Sequence, residues 1–147
     1  IVVEKILHIA EGAALMSGSR LEIQPLYPLY ENSRPNTTLG KAARTNAQAV
    51  SMHLDDPLPV RDNNASTDSG NVSQVMPTFN LWFAVSRKPV PGHSKAYAEA
   101  SRTEFALENA LYAAKTLALT SCDLLTQPEL LAAAHSEFEM RGGVGKE

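Results

Sequence analysis

The spacing of hydrophobic positions changes several times along this chain, and each change marks an element. Between residues 3 and 16, Ile6, Ile9, Ala10, Ala13, Leu15 and Met16 recur close to i, i+3, i+4 spacing, with Glu4, Lys5 and Glu11 mostly opposite. This predicts an amphipathic helix, stopped at Gly18. Arg20-Leu21-Glu22-Ile23-Gln24 then alternates polar and apolar, the pattern of a strand wet on one face, and Pro25 and Pro28 end it. Tyr27 to Asn36 is a proline-punctuated crossover without period. A second helix follows to about Val50, capped by Thr37 or Thr38, with Leu39, Ala42, Ala43, Ala47 and Val50 inward and Lys41, Arg44 and Gln48 outward.

The stretch from Asn63 to His93 has three parts. Ser66, Thr67, Asp68, Ser69 and Ser73, broken by Gly70 and bounded by Asn64 and Asn71, form a polar turn that exposes backbone N–H groups. Phe79-Asn80-Leu81-Trp82-Phe83-Ala84-Val85 has the length and the aromatic and branched content of a buried strand. Ser86 to Gly92 is a loop that ends by presenting His93. From Ala96 onward the chain reads as helical. Ser101-Arg102-Thr103-Glu104 has the form of a capping box, and Thr126-Gln127-Pro128-Glu129 repeats it with Pro in the first turn. Leu107, Leu111, Ala114, Ala118, Cys122 and Leu125 make one Ala-rich stripe, widened by Ala110, Leu117, Ser121 and Leu124, that is expected to pack on a sheet. The last helix reaches about Met140 and ends at Gly142, Gly143 and Gly145.

Composition narrows the function. At 147 residues and 44% hydrophobic, the chain has enough apolar content for a real core. A net charge of −3 with interspersed signs leaves no basic stripe for nucleic acid. No run approaches the roughly 18 apolar residues that cross a bilayer. The single cysteine, Cys122, has no internal disulfide partner and falls in a helical pattern, so it reads as a buried small apolar residue in a reducing, cytoplasmic setting. Glu4, His8 and Glu11 interrupt the apolar N-terminus, which reads as a helix cut from a longer chain rather than as a signal peptide.

Candidate chemistry is sparse outside the 63–93 stretch. Asp55, Asp56, Asp62 and His53 resemble a metal cluster only superficially, because adjacent aspartates on a strand point to opposite faces and two prolines follow, so a solvated loop is expected. His8 and His135 lie alone on helices, His8 reading as a surface or packing residue and His135 as a surface residue. No Gly-x-Ser-x-Gly elbow or phosphate loop is present. The 66–73 turn reads from composition as a helix cap or Ser/Thr turn, Asn36 fits a helix-start turn as well as a ligand-facing position, and His93 fits an exposed loop histidine as well as a metal ligand.

Jointly, the motifs resemble a known family. Ser66-Thr67-Asp68-x-Gly70-Asn71-Val72-Ser73-x-Val75-x-Pro77, followed by His93 in HSKAYAEAS, is similar to the aminoacylase and carboxypeptidase-G family of zinc metallopeptidases, amidohydrolase branch. Glu11-Gly12-Ala13-Ala14 and Tyr30-x-Asn32-x-x-Pro35-Asn36 also fit. The resemblance implies an α/β fold: residues 37–147 as the C-terminal part of a catalytic domain with long C-terminal helices, and residues 1–36 as the helix and strand that end an α+β lid carrying homodimer contacts. It implies hydrolysis of the amide bond of N-acyl amino acids or small dipeptides with one or two Zn²⁺ ions. His93 would be the last metal ligand, and Ser66, Thr67, Asp68 and Asn36 would face substrate. The family's bridging acid and Glu-Glu pair are absent, so these residues alone are expected to be inactive. The alternative is a catalytically silent binding or scaffold module built on the same frame.

Overall fold

A computed structural model describes residues 2–24, 29–54 and 67–142. Among them six helices form: α1 (Val2–Ser17), α2 (Thr37–Ala49), α3 (Ser69–Val75), α4 (Lys95–Ala100), α5 (Glu104–Thr126) and α6 (Pro128–Met140). The helix periodicities read in the sequence therefore hold, but their start signals shift. Asn36, not a threonine, caps α2, its side chain accepting from the Leu39 amide at 3.0 Å. The cap of α5 is Thr103, whose hydroxyl accepts from the Ala106 amide. Ser101 instead closes α4, donating its hydroxyl proton to the Tyr97 carbonyl. Thr126 ends α5 by bonding the Cys122 carbonyl, and Pro128 opens α6 after Gln127 with no side-chain cap. In both places the four-residue motif spans the end of one helix and the start of the next, so the cap lies a residue or two past its first member.

Helices α2, α5 and α6 pack on one another. Small side chains make this close approach possible: Ala43, Ala47, Ala106, Ala113 and Ala134 are all buried, with Thr116 and Thr120 between them. Burying a hydroxyl is costly without a partner, and both threonines bond the carbonyl one turn back, Thr116 to Tyr112 and Thr120 to Thr116. Asn46 of α2 adds a polar tie, donating to the Thr120 hydroxyl at 3.2 Å and to the Asp123 carboxylate at 2.6 Å. Met52 closes the core beneath Ala47 and Ala113, with Val50, Leu54, Leu81 and Tyr112 packed around it.

Three expectations need correction. The 20–24 and 79–85 segments form no strand among the described residues, where β pairing is limited to a single parallel bridge between Pro35 and Thr78. A strand exists only as part of a ladder, and neither segment makes a backbone–backbone hydrogen bond among the described residues. The stripe of α5 expected to pack is the exposed one: Leu107 is 61% and Leu125 85% exposed, and the opposite, smaller-residue face is buried. Cys122 lies with that open side and is exposed rather than buried. The α1 helix forms as predicted, yet none of its residues is buried. No described helix is long and apolar enough to cross a membrane.

The start of α2 holds the packing together. An α-helix begins with backbone donors that have no partner inside it. Here the Glu137 carboxylate of α6 takes two of them, with Oε1 accepting from the Thr37 amide and hydroxyl at 2.8 and 2.5 Å and Oε2 from the Thr38 amide and hydroxyl at 2.8 and 2.7 Å. Its pKa is lowered from 4.5 to about 2, chiefly by the Thr37 hydroxyl and then by the Thr37 amide and the two Thr38 donors, against an opposing effect of partial burial. Arg141 reaches the same carboxylate at 3.1 Å, but its guanidinium is half exposed and solvent screens it. Because the folded pKa is depressed, this stabilisation is complete above the unfolded value near 4.5 and is lost as pH falls toward about 2. Glu137→Gln should lower the unfolding free energy at pH 7 by about 2 kcal/mol. It should also flatten the acid-induced fall in stability across that window; urea melts at pH 7, 4.5 and 3 check both, and an unchanged acid slope in the variant would reject the assignment.

Candidate functional site

The polar turn continues into a short helix, and its side chains divide by direction. Gly70 and Ser73 are buried against residues 29–34, whereas Thr67 and Asp68 are exposed. Gly70 lies so near the Glu31 carbonyl that a side chain there would collide with backbone. Beside it, Asn71 offers both halves of its amide to the crossover, Oδ1 accepting from the Glu31 amide at 3.1 Å and Nδ2 donating to the Leu29 carbonyl at 2.9 Å. Ser73 accepts from the Arg34 amide at 2.9 Å and donates to the Gly70 carbonyl, and Gln74 donates to the Asn32 carbonyl. Three side chains of one short helix thus supply the donors and acceptors that a neighbouring strand would give residues 29–34.

Thr67 and Asp68 are left free of that duty. The Thr67 hydroxyl accepts from the Ser69 amide at 3.3 Å and approaches the Asp68 carboxylate at 3.4 Å. Asp68 occupies the cap position of α3 but makes no side-chain cap bond, so its carboxylate stays available to solvent or ligand. Ser66, the first residue of the motif, lies outside the described residues, as do Asp55, Asp56 and Asp62.

Asn36 is only 4% exposed and its amide is engaged, with Oδ1 on the Leu39 amide and Nδ2 donating to the Ala134 carbonyl of α6 at 2.8 Å. Its backbone amide bonds the Thr78 carbonyl at 2.7 Å, which fixes where the 79–85 run begins. Arg34 and Arg141 complete this junction, donating to the Gly142 and Pro35 carbonyls.

His93 stands in the turn before α4 with φ of +54°, a left-handed conformation that side-chain-bearing residues seldom adopt. Ser94, the cap of α4, holds that turn by accepting from the Tyr97 amide at 3.1 Å and donating to the Pro91 carbonyl at 2.7 Å. The imidazole is exposed and makes no hydrogen bond to a described residue, so both ring nitrogens are open to a ligand. No hydrogen bond joins it to Thr67, Asp68 or Asn36, and no group of three or more His, Cys, Asp or Glu able to hold a metal occurs among the described residues. Zn²⁺ sites use three or four donors. The described residues therefore do not fit a zinc site by themselves.

A separate open cleft of about 530 Å³ is lined by His53, Ala84, Ser86, Arg87, Phe105 and Asn109, with the Arg87 guanidinium 4.5 Å above the Phe105 ring. Its polar lining is partly spoken for: Asn109 donates to the Phe105 carbonyl and Ser86 accepts from the Lys88 amide. The sequence reading gave no role to Asn71, Gln74 or Glu137. One signal was present for the last of these, since an acid in the final turns of a helix opposes the macrodipole and implies a partner elsewhere.

Comparison with known proteins finds the chain similar to two dipeptidases, in line with the resemblance carried by its motifs. The relatives concerned are the Xaa-Arg dipeptidases of Homo sapiens, 32% identical over 131 residues, and of Mus musculus, 31% identical over 131 residues. Each match takes in 88% of this chain, which spans 30% of the length of either relative. No protein-family model matches the chain, and no solved structure matches it.

The clamp formed by α3 can be tested directly. Asn71→Leu is nearly isosteric and removes both bonds to the crossover, so the Glu31 amide should exchange with deuterium at least ten times faster while helical circular dichroism stays unchanged. Unchanged protection at Glu31 would mean that the crossover holds its shape without α3.

Proposed function

We propose that this chain is the C-terminal part of a metal-dependent amidohydrolase or dipeptidase that hydrolyses the amide bond of N-acyl amino acids or small dipeptides. The observation that carries this reading is the match to Xaa-Arg dipeptidases across 88% of the chain, a span that includes most of its motifs. In this reading residues 37–147 belong to an α/β catalytic domain and residues 1–36 to the end of a lid that carries homodimer contacts, in a cytoplasmic enzyme.

His93 is the residue assigned to the metal, expected to be one or two Zn²⁺ ions. Its turn supports that role, because the Ser94 cap fixes the backbone while the imidazole remains unbonded. A bound zinc would polarise the amide carbonyl and activate water. The described residues lack the other donors and a paired general base, so no catalytic step is derived for this chain alone, and residues 1–147 are expected to be inactive. Ser66, Thr67 and Asp68 are assigned to the substrate's anionic end, where hydroxyls and turn amides can compensate one negative charge. Asn36 contributes to the same region by position, through the junction of crossover, α2 and α6 on which its amide is spent.

Three measurements test this. In a full-length enzyme containing this chain, His93→Ala should reduce kcat/KM by a factor of about a thousand or more, while His8→Ala and His135→Ala stay within about twofold. Ser66→Ala with Thr67→Val should raise KM more than it lowers kcat. Isolated residues 1–147 should bind Zn²⁺ weakly in a calorimetric titration. Tight stoichiometric binding abolished by His93→Ala would show a complete site within this chain, and full activity of the His93→Ala enzyme would favour the silent-module alternative for this part of the molecule.

A further inference from the structure

The cleft beside the first turns of α5 is rich in donors, and none of the described residues that line it is an acid. His53, Ala84, Ser86, Arg87, Phe105 and Asn109 border about 530 Å³, a size that suits a small organic ligand. Arg87 supplies the permanent positive charge of that lining. Its guanidinium lies 4.5 Å from the centre of the Phe105 ring, which is half buried and next to buried Ala106, so the platform beneath the cation is fixed. Stacking uses the face of a guanidinium and leaves the N–H groups along its edge in plane. Arg87 has no hydrogen bond or ion pair to any described residue, so that edge is open. Two further donors are only half engaged. The Ser86 hydroxyl accepts from the Lys88 amide at 3.2 Å and keeps its own proton, while the Asn109 side chain gives one N–H to the Phe105 carbonyl at 2.9 Å and keeps the other. The acids on the same turns of α5, Glu104 and Glu108, line a different groove with Leu107 and Leu111, and the Tyr112 hydroxyl approaches Glu108 at 3.3 Å.

We infer that this cleft is a binding site for a small organic carboxylate. The edge of the Arg87 guanidinium takes both carboxylate oxygens, the Ser86 hydroxyl and the Asn109 amide are the supporting donors, and the apolar body of the ligand rests on Phe105 and Ala84. Charge decides against a neutral ligand, which would leave the guanidinium uncompensated. Shape decides against a compact inorganic anion: a planar fork matches two coplanar oxygens, and the cleft offers an aromatic ring and a methyl group that such an ion cannot use. The site is separate from the anion role assigned to the 66–68 turn, since neither Thr67 nor Asp68 lines the cleft. It also stands apart from the dipeptidase reading, because it concerns binding and involves no catalytic step.

Benzoate is the probe, with benzamide as its uncharged counterpart and inorganic phosphate as a compact anion. Each is titrated into residues 1–147 while the side-chain N–H signals of Arg87 and Asn109 are followed by heteronuclear NMR. Benzoate should shift both signals saturably, with a dissociation constant on the order of millimolar for so small a ligand. Benzamide and phosphate should each bind about tenfold more weakly or worse. Arg87→Gln should abolish the shift at Asn109. Arg87→Lys keeps the charge but lacks the fork, so binding should weaken about tenfold, and Ser86→Ala should weaken it about fivefold. Arg87 is exposed, so both of its variants should keep the helical spectrum of the parent. Absence of a saturable shift, benzamide binding as tightly as benzoate, or unchanged benzoate binding in either Arg87 variant overturns the inference. Phosphate binding as tightly as benzoate overturns it as well, and would mark the cleft as a phosphate site.

Discussion

Everything this chain holds in place depends on how the first turn of α2 is satisfied. Four amides need partners there, and they find them in three different parts of the molecule. The Asn36 amide goes to Thr78, the Thr37 and Thr38 amides to Glu137, and the Leu39 amide to the side chain of Asn36 itself. The same asparagine then reaches Ala134, while Arg141 and Arg34 tie the end of α6 back to the crossover. Apart from exposed Thr37, these are buried or half-buried donors, so leaving one of them unpaired would cost on the order of 1–3 kcal/mol. The consequence is positional. Because Thr78 is fixed to the start of α2, the run that leads to His93 sets out from a rigid point.

The packing face of α5 follows from size. Helices that approach as closely as α2 and α5 need alanine and threonine between them, and the threonines can satisfy themselves within their own helix. Leucine at 107, 111 or 125 would hold the helices apart, so these residues face the other way. Periodicity located the helix and picked out its leucine-bearing stripe as the one expected to pack. It could not say which face meets α2, because that depends on the shape of the partner as well as on the interval. The strand composition of 79–85 was equally legible, but a strand is a property of a pair of segments, and one sequence segment does not reveal whether its neighbour is present.

Much the same holds for the site. That His93 ends a loop and begins a helix could be read from Pro91-Gly92-His93-Ser94; its left-handed backbone could not, since nothing but the surrounding turn imposes it. The polar knot was recognisable as a turn, yet composition gave every hydroxyl and amide in it the same standing. In the structure Asn71, Ser73 and Gln74 are spent on backbone atoms some 40 residues away, and such contacts leave no trace in local pattern because main-chain groups look alike at every position. Only Thr67 and Asp68, of the described residues in the knot, remain turned outward.

That division links the two halves of the chain mechanically. The crossover passes beneath α3, with Gly70 pressed on the Glu31 carbonyl and the Asn71 amide accepting from the Glu31 N–H and donating to the Leu29 carbonyl. Thr67 and Asp68 sit on the N-terminal end of that helix, and Asn80, two residues into the apolar run, donates to the Ser69 hydroxyl at 3.2 Å. A group bound at Thr67 and Asp68, as proposed, would therefore act on a turn whose other contacts are the crossover and the run leading toward His93. Since α3 has only seven residues, it has little cooperative stability of its own and takes its shape from these contacts. If the proposed substrate site at this turn is right, binding there and ordering of the crossover would be thermodynamically linked, each favouring the other by the same factor.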